Sequence, residues 1–264
     1  MITLSNITKV FHEGTVNENA AIRSVDVRVN PGDFITIIGS NGAGKTTLFN
    51  LIGGGIFPTR GRIFFNGDDI TRMPEYRRAR FIGRIFQDPL LGTASNMKLE
   101  DNMMIAFRKG FKGLKISLNK KTRAHFREQL VQLDMGLERR LKDNVMLLSG
   151  GQRQALTLLM MVLSRPDLIL LDEHTAALDP KNAEIVLGLT MHFIEKYRLT
   201  AMMVTHNMSQ AIACGNRLLM MDRGEIILDV GGDEKRALTV EKLIDKFRRI
   251  RSRSFENDEV LLSP

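Results

Sequence analysis

The residues Gly39-Ser40-Asn41-Gly42-Ala43-Gly44-Lys45-Thr46 match the phosphate-cradling pattern G-x-x-x-x-G-K-[ST] at every fixed position. Glycines at this spacing let the main chain bend round an anion, so that its amide N–H groups and a following helix N-terminus offer partial positive charge to phosphate oxygens. Lys45 can reach the β- and γ-phosphates, and the Thr46 hydroxyl can ligate Mg²⁺. The chemistry expected is the binding of a nucleoside triphosphate. Two further stretches suit it. Asp172-Glu173 follows the apolar run Leu168-Ile169-Leu170-Leu171, which places two carboxylates at the C-terminal end of a buried strand, where open α/β sheets put their ligands. Asp172 is the expected metal partner and Glu173 the general base that faces an attacking water. Leu148-Ser149-Gly150-Gly151-Gln152 is a second glycine-rich turn opening a helix, hence a second phosphate-binding end.

The elements that must hold these groups follow from periodicity. Phe34-Ile35-Thr36-Ile37-Ile38 is a buried strand feeding the loop, Thr46 to Ile52 a helix, and Gly53-Gly54-Gly55 its stop. Ahead of them, alternation over Leu4 to Val10 and Val25 to Val29 predicts two half-exposed strands, and Pro31-Gly32-Asp33 a turn. Gly61 to Gly67 and Phe81 to Phe86 read as further strands. Between Gln87 and Ser149 the texture becomes helical, clearest over Ala124 to Leu133, and reads as a lobe inserted in the core. Strand and helix then alternate again: a helix from Gln152 to Ser164, the strand before Asp172, a helix near Asn182 to Tyr197, and a strand over Ala201 to Val204. Arg217 to Met221 and Glu225 to Val230 form a closing hairpin across Asp222-Arg223-Gly224, and Thr239 to Ile250 a final helix. The fold class is α/β with a mainly parallel sheet.

Composition narrows the class. A chain of 264 residues that is 43% hydrophobic can bury one substantial core. No run approaches the ~20 apolar residues of a membrane span, and the N-terminus lacks the basic start and apolar core of a signal peptide. The single cysteine, Cys214, cannot form an internal disulfide, which suits a reducing cytosol. The fifteen methionines are most simply core packing. A net charge of +8 suits either nucleic acid or anionic lipid headgroups, and charge alone does not choose between them. Eight Lys/Arg and no acid lie between Arg108 and Arg127, with a second basic cluster over Lys246 to Arg253; solvated helical faces explain both most simply.

With Leu148 to Gln152 the sequence resembles the ATP-binding subunits of ABC transporters, in which Leu-Ser-Gly-Gly-Gln contacts the ATP held by the partner subunit's phosphate loop. The resemblance covers nearly the whole chain: Gln87 resembles the family's Q-loop glutamine, Ala177-Leu178-Asp179 its D-loop, and His206 its switch histidine. It implies one domain over 1–264 with a P-loop, RecA-like core (1–87 and 151–230), an antiparallel β subdomain, an inserted helical subdomain (88–150) ending in the signature motif, and a C-terminal helix and tail (231–264).

The resemblance also implies ATP contacts from Phe11, Gly39, Ser40, Asn41, Gly42, Ala43, Gly44, Lys45, Thr46 and Thr47. Ser149, Gly150, Gly151, Gln152 and Asp179 would meet the partner's ATP, Thr46, Gln87 and Asp172 would hold Mg²⁺, and Glu173, His206, Lys45 and Gln87 would serve hydrolysis. Tyrosine is commoner at position 11; Phe11 keeps the stacking face for adenine, or is a plain core residue. His174 stands where many members have proline, and no chemistry is attached to it. The implied partners are a second copy or a homologous ATPase subunit arranged head to tail, transmembrane permease subunits at the cytoplasmic face of the membrane, and an extracytoplasmic substrate-binding protein. The chain's ending resembles subunits of uptake systems related to branched-chain amino-acid importers, so import of an amino acid or similar small solute is expected. An export system, or nucleic-acid or ribosome-associated machinery, is the alternative. Such nucleic-acid relatives usually add a coiled coil, a zinc module or a second ATPase copy, none of which is found, so no nucleic-acid partner is expected.

Overall fold

The structure, a computed structural model, describes residues 1–107 and 118–249. The chain opens with β1 (Ile2–Phe11) and β2 (Asn19–Val29), whose inward residues Ile2, Leu4, Ile7, Ile22, Val25 and Val27 are buried. Both strands outrun the sequence alternation, because antiparallel pairing carries them from Ile2 opposite Val29 to Phe11 opposite Asn19. After the expected turn comes β3 (Phe34–Gly39), buried over its first five residues, then the glycine-rich loop and α1 (Lys45–Gly53). Gly54, in the left-handed conformation at φ 84°, ends α1 as the glycine run predicts. With β4 (Arg60–Phe65) and β5 (Asp68–Asp69), a four-stranded antiparallel sheet is complete in the order β2-β1-β4-β5.

A single helical turn, α2 (Glu75–Arg78), leads to β6 (Ile82–Ile85). Helices then take over: α3 (Leu99–Phe107), α4 (Lys120–Val131) and α5 (Gly150–Leu163) share an apolar cluster through Met103, Phe126, Leu130, Leu156 and Leu159. α4 starts earlier than its apolar spacing indicates, because the Asn119 side chain caps it by accepting from the Thr122 N–H.

The alternating half follows with β7 (Leu168–Asp172), α6 (Pro180–Tyr197), β8 (Thr200–Val204), α7 (Met208–Ala213) and the hairpin β9 (Arg217–Asp222) to β10 (Glu225–Gly231). The six-stranded sheet runs β10-β9-β3-β8-β7-β6, parallel throughout except for the β9–β10 pair. The closing hairpin is therefore seated directly against the loop-bearing strand: β9 pairs in parallel with β3. Because β3, β7 and β8 are parallel, Gly39, Asp172 and Val204 all end at one edge of the sheet. That edge is where ligands of open α/β sheets bind.

α8 (Gly232–Arg236) and a helical stretch over residues 240–249 close the described chain. They set Leu238, Leu243 and Phe247 against Ile38, Leu218, Met220 and Ala211. Met103, Met104, Met160, Met202, Met203, Met220 and Met221 are buried as expected of core packing, whereas Met97, Met146 and Met191 are exposed. Among the described residues no helix is long and apolar enough to cross a membrane. Residues 108–117 of the first basic stretch, 250–253 of the second, the end of the final helix at 250, and the tail lie outside the described residues.

Candidate nucleotide site

The glycine-rich loop is shaped by what surrounds it. Gly44 has φ 100°, and a Cβ there would stand 2.6 Å from the Ala21 carbonyl oxygen, so the position admits only glycine. Gly44 is also the N-cap of α1 and supplies no side-chain cap, which leaves the first-turn N–H groups of α1 available to an anion. At the loop's start a Cβ on Gly39 would lie 2.2 Å from the Met221 carbonyl oxygen, so β9 presses directly on the loop. Ser40 Oγ donates to Asp222 Oδ1 at 3.1 Å. Lys45 is 6% exposed, and its ammonium donates to the carbonyls of Gly39 at 2.8 Å and Ser40 at 3.0 Å. Burial holds its pKa below the ordinary lysine value, while Glu173 and Asp172 pull in the opposite direction.

A cavity of about 460 Å³ opens over the loop, within the usual range of small-molecule sites (roughly 300–1,000 Å³). Asn41, Gly42, Ala43, Gly44, Lys45, Thr46 and Thr47 line it from the loop and α1. Phe11, Asn19 and Ala21 reach it from the antiparallel sheet, and Glu173 and His206 from the ends of β7 and β8. Asn19 and Ala21 had no sequence signal, since both lie ahead of the strand expected over Val25 to Val29. Phe11 lines the cavity and is only part-buried, which favours the stacking reading over the core one.

Glu173 and His206 meet: His206 Nε2 is 2.5 Å from Glu173 Oε1. Glu173 holds the left-handed backbone conformation at φ 49°, fixed by its N–H donating to the Val204 carbonyl at 3.1 Å. For a side-chain-bearing residue this conformation costs of order 1 kcal/mol and persists only where neighbours enforce it. The arrangement can hold a water against a carboxylate whose far side is engaged by an imidazole.

Asp172 is buried at the end of β7 and is not among the cavity's lining residues; its Oδ2 accepts from Arg84 Nη2 at 2.7 Å. Gln87 follows β6, is exposed, and does not line the cavity either. Gly39 and Ser40 border a second, largely apolar cavity of about 230 Å³ that also takes in Thr205, His206, Met208 and Phe247. Among the described residues no three His, Cys, Asp or Glu side chains gather as a metal cage. Mg²⁺ bound together with phosphate needs only one or two protein oxygens. Thr46 lines the cavity and Asp172 ends β7 at the same sheet edge, and their hydroxyl and carboxylate are oxygen donors of the kind that would hold it.

The second glycine-rich turn lies elsewhere. Ser149 caps α5, its Oγ accepting from the Gln152 N–H at 3.2 Å while Gln152 Oε1 accepts from the Ser149 N–H at 3.2 Å, a reciprocal capping box. A Cβ on Gly151 would lie 2.7 Å from Asn182 Oδ1, so the turn packs tightly against the start of α6. Asp179 caps α6, accepting from Asn182 N at 3.1 Å and Asn182 Nδ2 at 2.6 Å. The Asn182 side chain, more than any other group, holds the Asp179 carboxyl below the ordinary value. Ser149, Gly150 and Asp179 are exposed, and neither they nor Gly151 and Gln152 line the cavity. One copy of the chain does not bring its two phosphate-binding ends together.

Two residues without an expected role also stand out. His174, 2% exposed, places Nε2 3.0 Å from Thr190 Oγ1 and accepts from Gln154 Nε2 through its carbonyl at 2.7 Å; burial pushes its pKa down to about 4. It links α5 and α6 through Gln154 and Thr190. Arg84 is the residue that periodicity passes over, although a charge within Ile82-Gly83-Arg84-Ile85 was the available signal.

A parallel sheet with this loop, and with acid and histidine at the adjacent strand ends, defines a phosphate-loop nucleoside triphosphatase. The sequence pattern of the family described as ABC transporter matches residues 22–176, and the chain belongs to that family, as an ATP-binding, ATP-hydrolysing subunit. It is 41% identical over 248 residues to the tyrosine transport ATP-binding protein of Clostridioides difficile (strain R20291), covering 94% of this chain and 98% of that one. It is 34% identical over 230 residues to the methionine import ATP-binding protein MetN 2 of Enterococcus faecalis (strain ATCC 700802 / V583), covering 86% of this chain and 64% of that longer one. A dimeric ATP-binding cassette solved in a post-hydrolysis state with ADP and Pi superposes with a TM-score of 0.71 at 27% identity, covering 88% of this chain and 98% of that one.

Proposed function

We propose that two copies of this chain, or this chain and a homologous subunit, close head to tail around ATP to drive uptake of an amino acid or similar small solute through separate permease subunits at the cytoplasmic face of the membrane. The observation that carries it is the separation of the two phosphate-binding ends: Lys45, Glu173 and His206 share a cavity, while Ser149 and Gly150 are exposed outside it. A second copy supplies the missing half. In this reading Phe11 stacks on adenine, the N–H groups of residues 39–47 and the Lys45 ammonium receive the phosphates, Ser149 to Gln152 receive them from the facing copy, and Asp179 couples the two sites. Glu173, oriented by His206, takes a proton from the attacking water, and Gln87 swings toward the phosphate end when the pair closes. Thr46, Asp172 and Gln87 would hold Mg²⁺, which when bound neutralises charge developing on the phosphoryl oxygens.

Uptake is supported by relatives named for tyrosine transport and methionine import, and the reading includes an extracytoplasmic substrate-binding protein that delivers the cargo. Permease docking is supported by a groove of about 400 Å³ between the sheet and the helical lobe, where Phe86, Ile105 and Met160 meet the exposed Leu91. The test is recovery of the tagged chain from membranes, followed by reconstitution in liposomes. Expected are co-purification of a multi-span membrane protein and ATP-dependent amino-acid accumulation that Glu173→Gln abolishes. Recovery on DNA or RNA with no membrane partner, in salt-sensitive fashion, would overturn it.

A further inference from the structure

Asp172 is linked to the groove beside β6 by one residue. Arg84 sits in mid-strand between apolar neighbours, and its guanidinium is divided among three groups. Nη2 donates to Asp172 Oδ2 at 2.7 Å, Nη1 donates to Asn50 Oδ1 of α1 at 2.6 Å, and the carbon at its centre lies 4.8 Å from the centroid of the Phe86 ring. Its Nε is buried without a hydrogen-bond partner. An unmatched buried N–H is destabilising, and sheet packing does not call for it, since an apolar side chain could fill the same strand position. The same residue lines the 400 Å³ groove beside Phe86, Leu91 and Ile105. Arg84 thus touches the carboxylate assigned to Mg²⁺ and the groove assigned to the permease.

We propose that Arg84 is a positioning residue that restrains Asp172 from Mg²⁺. The inference rests on the reading of Asp172 as a metal partner. A carboxylate engaged in a charge-assisted bond of 2.7 Å offers less of its negative charge to a dication, so guanidinium and metal compete for it. Linkage then runs both ways. Arg84 weakens metal binding by the same factor by which bound metal weakens the Arg84–Asp172 contact. Asn50 carries the restraint into the helix that starts at Lys45.

The experiment measures Mn²⁺ affinity of the full chain saturated with a non-hydrolysable ATP analogue, with free Mn²⁺ read by electron paramagnetic resonance. Arg84→Met and Arg84→Gln are each expected to bind Mn²⁺ roughly 5- to 150-fold more tightly than the parent, the range of a typical coupling between sites. Arg84→Lys keeps a cation in place and is expected to stay near the parent. Neutral variants that bind Mn²⁺ no more tightly than the parent would overturn the role of Arg84. Asp172→Asn separates the two layers: if it weakens Mn²⁺ while the neutral Arg84 variants match the parent, Arg84 alone is misassigned. If it leaves Mn²⁺ affinity unchanged, the metal assignment of Asp172 fails as well. Thermal unfolding without nucleotide checks each variant's fold, and Arg84→Gln, which retains hydrogen-bonding capacity, carries the comparison if the Met variant is unfolded.

Discussion

At the scale of single residues, the contact between Glu173 and His206 is the most consequential, because it joins side chains from two strand ends over the cavity that Lys45 also lines. Glu173→Gln keeps the shape and removes the base; hydrolysis is expected to fall by about 10²- to 10⁴-fold with ATP affinity retained, as measured by turnover and equilibrium binding of labelled ATP. His174, next in the chain, is expected to report through stability. Its folded pKa of about 4 lies below the unfolded value, so the unfolded chain takes up a proton first as pH falls. The stability tied to neutral His174 is fully present above pH ~6.5 and is lost as pH falls toward 4, by about 3 kcal/mol in all. Denaturant unfolding at pH 7 and pH 5 should show this loss in the parent, with a smaller pH dependence in His174→Leu; equal pH dependence would contradict it. Lys45 and Glu173 were legible in the sequence from type and position after a strand, whereas His206 was legible only through the family resemblance, since a histidine after a strand is by itself ordinary polar surface. Arg84 and His174 were not, because their roles come from partners far along the chain: Asp172 for one, Gln154 and Thr190 for the other.

At the scale of elements, α1 is held at both ends by groups that periodicity does not disclose. Its start depends on Gly44; Gly44→Ala would force a Cβ against the Ala21 carbonyl and the Ile22 side chain. A loss of about 1–3 kcal/mol in unfolding free energy is expected, with nucleotide affinity weakened at least about tenfold as the loop shifts. Its end depends on the fully buried Arg78, whose guanidinium donates to the carbonyls of Leu51 and Ile52 of α1 and of Ile70, Thr71 and Met73. Burial pushes that guanidinium down to about 10, still well above neutrality. Arg78→Met leaves those carbonyls unmatched and is expected to lower stability by about 2–4 kcal/mol in denaturant unfolding. Long elements were readable because burial imposes period 2 or 3.6 on them. The short α2, α7 and α8 were not, since a helix of one or two turns forms only where tertiary groups complete it. For α7 those groups are Asn207, whose side chain accepts from the Gln210 N–H, and Lys235, which donates to the carbonyls of Cys214 and Gly215. The hairpin of β9 and β10 was readable as a hairpin, but its parallel docking on β3 is a long-range pairing that local pattern cannot specify.

At the scale of the whole molecule, parallel topology collects Gly39, Asp172 and Val204 at one sheet edge, while the capped start of α5 presents Ser149 and Gly150 at a separate exposed corner. The proposed head-to-tail pairing of two such molecules would make two equivalent composite sites, each built from one copy's loop and the other's corner. The most direct measurement mixes two disabled variants, Lys45→Ala and Ser149→Phe, and follows ATP hydrolysis. Each variant alone spoils both of its composite sites. In a mixed pair both defects fall into the same site, and the other combines an intact Lys45 loop with an intact Ser149 corner. With random pairing of equal amounts, hydrolysis is expected to recover to about a quarter of the parent rate, half of the pairs being mixed and each carrying one working site. A mixture no more active than the average of its two components would contradict a shared site.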